Sequence, residues 1–184
     1  GCFSPLFRSH SAMGTRVQEP WRFGDEVTAI FRKYVKLRYR LQPYFYDLFR
    51  ECEETGLPPM RALVLNYEDD PNVHELNDEF MLGDQMLVAP VVEQGARQRM
   101  IYLPKGDWYD FWTSEKQEGG RYFVREAPLD LCPIYVKAGT ILPLYPEQRY
   151  TDELADPELT LRCYPGEGVY EHYRDNGRDF TYRD

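Results

Sequence analysis

Between Gly24 and Glu54 the apolar positions recur at spacings of three and four. Val27, Ile30, Phe31, Tyr34, Leu37, Leu41, Phe45, Leu48, Phe49 and Cys52 fall on one broad stripe of a helix. Pro43 lies inside that stripe. Its ring removes a backbone donor and clashes with the preceding turn, so a kink or break is predicted near Gln42. Gly56, followed by Pro58 and Pro59, ends the helix, the glycine serving as a left-handed cap. The next run, Arg61 to Tyr67, is nearly continuous in its hydrophobicity and bounded by Pro and by Glu-Asp-Asp-Pro. It predicts a short strand buried on both faces, as in parallel sheets with helical cover.

From about Asp78 the period changes. Met86–Val92, Arg99–Leu103, Trp108–Trp112, Tyr122–Glu126, Ile134–Lys137 and Leu159–Tyr164 are short apolar segments. They are separated by the turn signals Gln94-Gly95, Pro104-Lys105-Gly106-Asp107, Glu118-Gly119-Gly120, Ala138-Gly139 and Pro165-Gly166. That spacing predicts an antiparallel β-sandwich. The fold class expected is therefore mixed α and β, a long helix and buried strand followed by a sandwich, with a second domain beginning near Asp78. No internal repeat or low-complexity segment interrupts it.

The first tenth of the chain, Phe3 to Trp21, has neither period. It keeps Phe7, Arg8 and His10 in a loop-like context of Ser, Gly and Pro, where sites tend to be found. A lone histidine beside a phenylalanine is more often a structural hydrogen-bonding residue than a ligand, so the local sequence by itself assigns His10 no role.

Composition narrows the partners. The 184 residues are 42% hydrophobic and 15% aromatic, which indicates a globular chain long enough for one full core or two small ones. A net charge of -9 argues against a nucleic-acid partner. No run approaches the ~18 apolar residues that span a bilayer, so no membrane partner is expected. Cys2, Cys52, Cys132 and Cys163 form no CxxC and have no histidine at ligand spacing, so neither metal nor cofactor is expected. Free thiols in a cytoplasmic protein are the simplest reading; a secreted chain with two disulfides is the alternative. The chain opens on Gly-Cys-Phe and closes on Tyr-Arg-Asp, which suggests a piece of something larger.

Hydrolases of many kinds need two carboxylates facing one substrate, and no such pair is legible. Asp69 and Asp70 are adjacent and precede Pro71, a turn signal. Glu51, Glu53 and Glu54 lie at a helix C-terminus, where the dipole disfavours anions and solvation is expected. Asp152, Glu153 and Asp156 read as plain surface. His74 and His172 have no companion nucleophile, and no phosphate-binding glycine loop is present. Trp108-Tyr109-Asp110-Phe111-Trp112 could stack on a sugar, but alternating aromatics in a strand more often pack into a core or domain interface.

Taken together, these segments resemble a known family. Phe-Ser-Pro-Leu-Phe-Arg-Ser-His-Ser, Gln-Glu-Pro-Trp and the run Leu37 to Phe49 are similar to the carboxy-terminal third of the α-glucosidases and α-xylosidases of glycoside hydrolase family 31. So are Met60–Leu63, Phe80–Asp84, Leu87–Val91, Tyr102–Pro104, Trp108–Trp112 and Val136–Pro143. The resemblance implies three parts: residues 1–77 as the closing segment of a catalytic (β/α)8 barrel, 78–163 as the β-sandwich that follows, and 164–184 as the truncated start of a further β domain. It also implies a retaining, exo-acting α-glucosidase acting on an α-linked oligosaccharide, with carboxyl groups about 5 to 5.5 Å apart. The family's two catalytic aspartates sit upstream, in contexts like Trp-x-Asp-Met-x-Glu and Gly-Asp-Asn, and neither context occurs here. Gly83-Asp84-Gln85 matches the second only superficially, and Asp84 is given no acid role. These 184 residues alone are therefore expected to be inactive. The substrate-binding residues carried over are His10, which matches the family histidine on the sugar at the cleavage point, with Arg8 and Phe7 beside it. The rival expectation, from a different class, is a non-catalytic sandwich module that binds carbohydrate or a partner protein through Trp108 to Trp112.

Overall fold

The computed structural model describes residues 1–151 and 153–179. The predicted long helix is two: α1, Asp25–Arg40, and α2, Gln42–Thr55, joined at Leu41. Pro43 falls in the first turn of α2, where a missing N–H leaves no bond unmade. Asp25 and Glu26 open α1 and Arg38 and Arg40 close it, each sign suited to its end of the helix dipole. Gly56 takes the left-handed cap, its N–H donating to Cys52 O at 2.9 Å. Of the predicted stripe, Leu37, Leu41, Phe45 and Leu48 are buried, with Tyr44 beside them, while Phe31 and Phe49 stay exposed at its ends.

Arg61 to Tyr67 is not a doubly buried strand. Only Met60–Arg61 (β1) pairs, antiparallel to β2 (Phe80–Leu82), and Leu63–Leu65 winds into a 3-10 turn. That turn sends Leu63 fully inside and leaves Leu65 exposed. A four-residue apolar run carries no period that separates a strand from a short helix, which is why the sequence misleads there.

Eight further strands follow: β3 (Met86–Val88), β4 (Gln98–Leu103), β5 (Asp107–Asp110), β6 (Lys116–Glu118), β7 (Arg121–Glu126), β8 (Ile134–Lys137), β9 (Ile141–Leu144) and β10 (Thr160–Cys163). A six-stranded sheet runs β1-β2-β3-β8-β5-β6, every neighbour antiparallel, flanked by the pairs β4–β7 and β9–β10. The central strands are buried on both faces, and alternation sorts their side chains. Leu82, Met86, Val88, Ile134 and Val136 face Leu41, Tyr44, Phe45 and Leu48 together with Leu142 and Leu144 of β9. Met81, Leu87, Trp108 and Tyr135 face Leu63, Ile101 and Leu103 on the other side. The six-stranded sheet is thus a middle layer between the helices with β9–β10 and the β4–β7 pair. The fold is mixed α and β, as expected, with all strand pairing antiparallel. Segment 164–179 contains no strand and returns across α2.

Candidate functional site

The opening loop is held on α1 by side chains buried beneath it. Phe3 is buried edge-on to Tyr34, with ring centres 6.3 Å apart. Cys2 donates its thiol to Tyr34 O at 2.9 Å, and burial pushes that thiol up to about 12 against the opposing pull of Arg38. Arg38 gathers three carbonyls: Nη1 donates to Cys2 O and Ser4 O, both at 2.7 Å, and Nη2 to Pro5 O at 3.0 Å. The same guanidinium lies 4.6 Å from the centre of the Phe45 ring and 5.4 Å from that of Phe7. Phe7 in turn stacks on Phe31 at 6.0 Å, with 28° between the planes.

Beyond Phe7 the loop turns outward. Arg8 Nη2 donates to His10 Nδ1 at 3.0 Å, both side chains exposed. Arginine has no acceptor, so His10 Nδ1 accepts, and in the neutral ring the proton sits on Nε2. Nε2–H is then the remaining donor of an exposed ring whose other nitrogen is held by Arg8. Ser9 Oγ donates to Gln18 Oε1 at 3.0 Å and ties the two arms of the loop. Leu6, Met13, Val17 and Trp21 in the same stretch of chain are exposed apolar residues. A largely apolar concavity of about 640 Å³ opens beside Phe7, between Phe31, Tyr34, Phe80 and Pro90. The structure therefore brings Arg8 and His10 together and gives Phe7 different neighbours, Phe31 and Arg38.

The other candidates have local duties. His74 Nε2 lies 2.9 Å from Glu68 O. His172 Nδ1 lies 3.0 Å from Asp47 Oδ2, in a group where Asp47 also accepts from Tyr170 Oη at 2.6 Å and Tyr173 N at 2.9 Å. Asp70 caps the Pro71–Val73 turn through Asn72 N. Glu51 is not merely solvated: it pairs at 2.5 Å with Arg61, whose side chain is buried and cannot be left without an anion. Glu53 and Glu54 pair with Arg50, Glu153 with Arg149 and Asp156 with Arg174; Asp152 lies outside the described residues. Asp84 is exposed on the turn joining β2 to β3.

Trp108 is 1% exposed and donates Nε1 to Pro104 O at 2.8 Å. Trp112 donates to Cys132 O at 2.8 Å and packs edge-on against Phe111 and Tyr34. These rings pack into the core and into the seam with α1. All four cysteines are free. Among the described residues, no three His, Cys, Asp or Glu side chains gather to hold a metal ion, and no helix is long and apolar enough to cross a membrane.

Sequence reasoning missed Arg38 and Asp47. Arg38 stands four residues after Tyr34 and seven before Phe45, a charged residue on the apolar stripe, and that misfit was the available signal.

Residues 1–48 match the model of the glycosyl hydrolase family 31 TIM-barrel domain, and residues 56–142 that of the glycosyl hydrolase family 31 C-terminal domain. The chain is 43% identical over 185 residues to alpha-glucosidase 2 of Bacillus thermoamyloliquefaciens, covering 99% of this chain and 23% of that protein. It is 38% identical to the alpha-xylosidase of Saccharolobus solfataricus, covering 98% of this chain and 25% of the other. The structure superposes on the GH31 dextranase of Flavobacterium johnsoniae complexed with glucose with a TM-score of 0.94. There the identity is 42%, with 98% of this chain and 23% of that one covered. The chain spans about a quarter of the length of the curated relatives it matches. With the end of the barrel and the domain after it both matched, and the fold shared throughout, the chain belongs to glycoside hydrolase family 31.

Proposed function

We propose that this chain is the carboxy-terminal part of a retaining, exo-acting α-glucosidase, which releases sugar from the non-reducing ends of α-linked oligosaccharides. The observation that carries the reading is the exposed Arg8–His10 pair, 3.0 Å apart, on a loop anchored from beneath. With Nδ1 held by Arg8, His10 presents Nε2–H to a hydroxyl of the sugar at the cleavage point. A bond to a ring hydroxyl that strengthens as the oxocarbenium ion develops lowers the barrier and not only the dissociation constant. Arg8 orients the imidazole, and Phe7 braces the loop at the edge of the sugar site. The nucleophile and the acid are two carboxylates outside these residues: one attacks the anomeric carbon, the other protonates the leaving oxygen and then activates the water.

The division at 77/78 and 163/164 is part of the same reading: residues 1–77 close the barrel, 78–163 are the β-sandwich that follows and 164–184, of which 180–184 lie outside the described residues, start a further β domain. So is a cytoplasmic location. The relatives' names, glucosidase and xylosidase, support an α-glycoside, and the pair's chemistry suits any neutral pyranose hydroxyl.

The test is the anomer first released from an aryl α-glucoside by the full-length enzyme, followed by proton NMR. The α-anomer is expected; the β-anomer would overturn the retaining mechanism. The 184 residues alone should show no turnover, and measurable turnover would show that the chemistry does not depend on carboxylates elsewhere.

A further inference from the structure

We infer that Arg38, on α1, is a positioning residue for the sugar-contacting loop, acting on the reaction through the placement of His10. The inference rests on the reading of His10 as the sugar contact and adds a second element on which that contact depends.

Cys2, Ser4 and Pro5 lie in a segment with no helix or strand, so their carbonyls have no ladder to join. One guanidinium satisfies all three, two of them at 2.7 Å. Among the described residues no carboxylate lies within ion-pair distance of Arg38, so its directed bonds go to the loop backbone. Its cationic head also lies over two rings, 5.4 Å from the centre of Phe7 and 4.6 Å from that of Phe45, so it contacts both a residue of the loop and a buried residue of α2. Phe7 is three residues before His10. The chain is therefore fixed at residues 2, 4, 5 and 7 by a single side chain on a rigid helix, and the exposed Arg8–His10 pair is cantilevered from that fixed point.

Lysine cannot replace this. An ammonium offers three donors from one point and no plane to stack, whereas the arginine fork spreads its donors over separate nitrogens. Catalytic geometry is sensitive to displacements of about 1 Å, so a slackened loop should lower turnover with the reacting carboxylates untouched.

The experiment uses the full-length enzyme with Arg38→Lys, Arg38→Gln, His10→Ala and the double variant Arg38→Gln/His10→Ala, assayed on an aryl α-glucoside. Arg38→Lys and Arg38→Gln should each lower kcat/KM by ~10-fold or more, with kcat carrying a share of the loss. In the double variant the loss should equal that of His10→Ala alone to within about 2-fold, because both changes remove the same contact. A second readout is independent of His10: labelling of Cys2, now 7% exposed, by a thiol reagent, located by peptide mass, should quicken ~10-fold in Arg38→Lys. Losses that multiply in the double variant, or full activity in Arg38→Lys, would overturn the inference while leaving the sugar contact standing. If His10→Ala is silent, the reading of His10 fails, and the inference that Arg38 serves it fails with it. In that event unchanged Cys2 labelling would deny the clamp as well, whereas faster labelling would leave it a purely structural one. Where Arg38→Gln does not fold, Arg38→Lys, which keeps the charge and the stem, carries the test.

Discussion

Gly83 sits where the sheet meets α2, and replacing it by alanine perturbs that contact at one atom. Its φ is +66°, in the left-handed region, where a Cβ costs about 1 to 2 kcal/mol. A Cβ there would also lie 2.5 Å from Leu48 Cδ2 and 2.7 Å from Tyr44 Oη. Neither neighbour yields freely: Leu48 is buried, and Tyr44 is 1% exposed with its hydroxyl donated to Leu82 O at 2.6 Å. Overpacking of this kind costs about 1 to 3 kcal/mol, so Gly83→Ala should cost about 2 to 5 kcal/mol in all. At roughly 2 to 4 °C per kcal/mol for a chain of this size, Tm should fall by on the order of 10 °C, read by calorimetry or circular dichroism. Gly56→Ala is the matched control. Its φ is +79° and nothing lies within 4 Å of the added atom, so only the backbone term of about 1 to 2 kcal/mol applies. A Gly83→Ala variant no less stable than Gly56→Ala would refute the packing of α2 on the β2–β3 turn.

Two further outcomes follow from carboxylates, Glu79 buried and Asp47 half-buried. Burial pushes the Glu79 carboxyl up to about 8, with Arg99 at 3.2 Å drawing it back. Its folded pKa lies above the ordinary 4.5, so its contribution to stability is complete below about pH 4.5 and is lost as pH rises towards 8. Glu79→Gln should remove that slope: the variant gains on the native protein between pH 5 and 8 in thermal melts, and parallel curves would contradict the assignment. Asp47→Ala strips the acceptor shared by Tyr170, His172 and Tyr173 N, at a cost on the order of 3 kcal/mol, and should speed hydrogen exchange at the Tyr173 amide. Unchanged exchange there would mean that the returning segment is held by other contacts.

What the sequence made legible follows the range of each interaction. The helical stripe, the break before Pro43 and the stop at Gly56 are local, and each lies where its period or backbone restriction put it. The alternating strands β3, β4, β5, β7, β8 and β10 were visible for the same reason. Lys116–Glu118 was not, because an edge strand of three polar residues has no buried face to leave a pattern. Ile141–Leu144 carries Pro143, which reads as a strand breaker and is tolerated in a two-stranded pair. Arg61 to Tyr67 was misread because its apolar continuity is shared by a buried strand and a 3-10 turn. Asp47 meets Tyr170 and His172 across more than 120 residues, a pairing no local pattern encodes. In the candidate site, nothing local gave His10 a role. Resemblance pointed to it, and the structure added the Arg8 contact that sets its tautomer.

The central claim is that this chain supplies the histidine that holds the sugar. It is tested most directly by kcat/KM of the full-length enzyme carrying His10→Ala, measured on an aryl α-glucoside against the parent enzyme. Loss of one hydrogen bond that strengthens in the transition state is worth about 1 to 3 kcal/mol, so a fall of roughly 5- to 150-fold, shared by kcat, is the expected result. Unchanged kinetics in a variant with unchanged Tm would contradict it and remove His10 from the site.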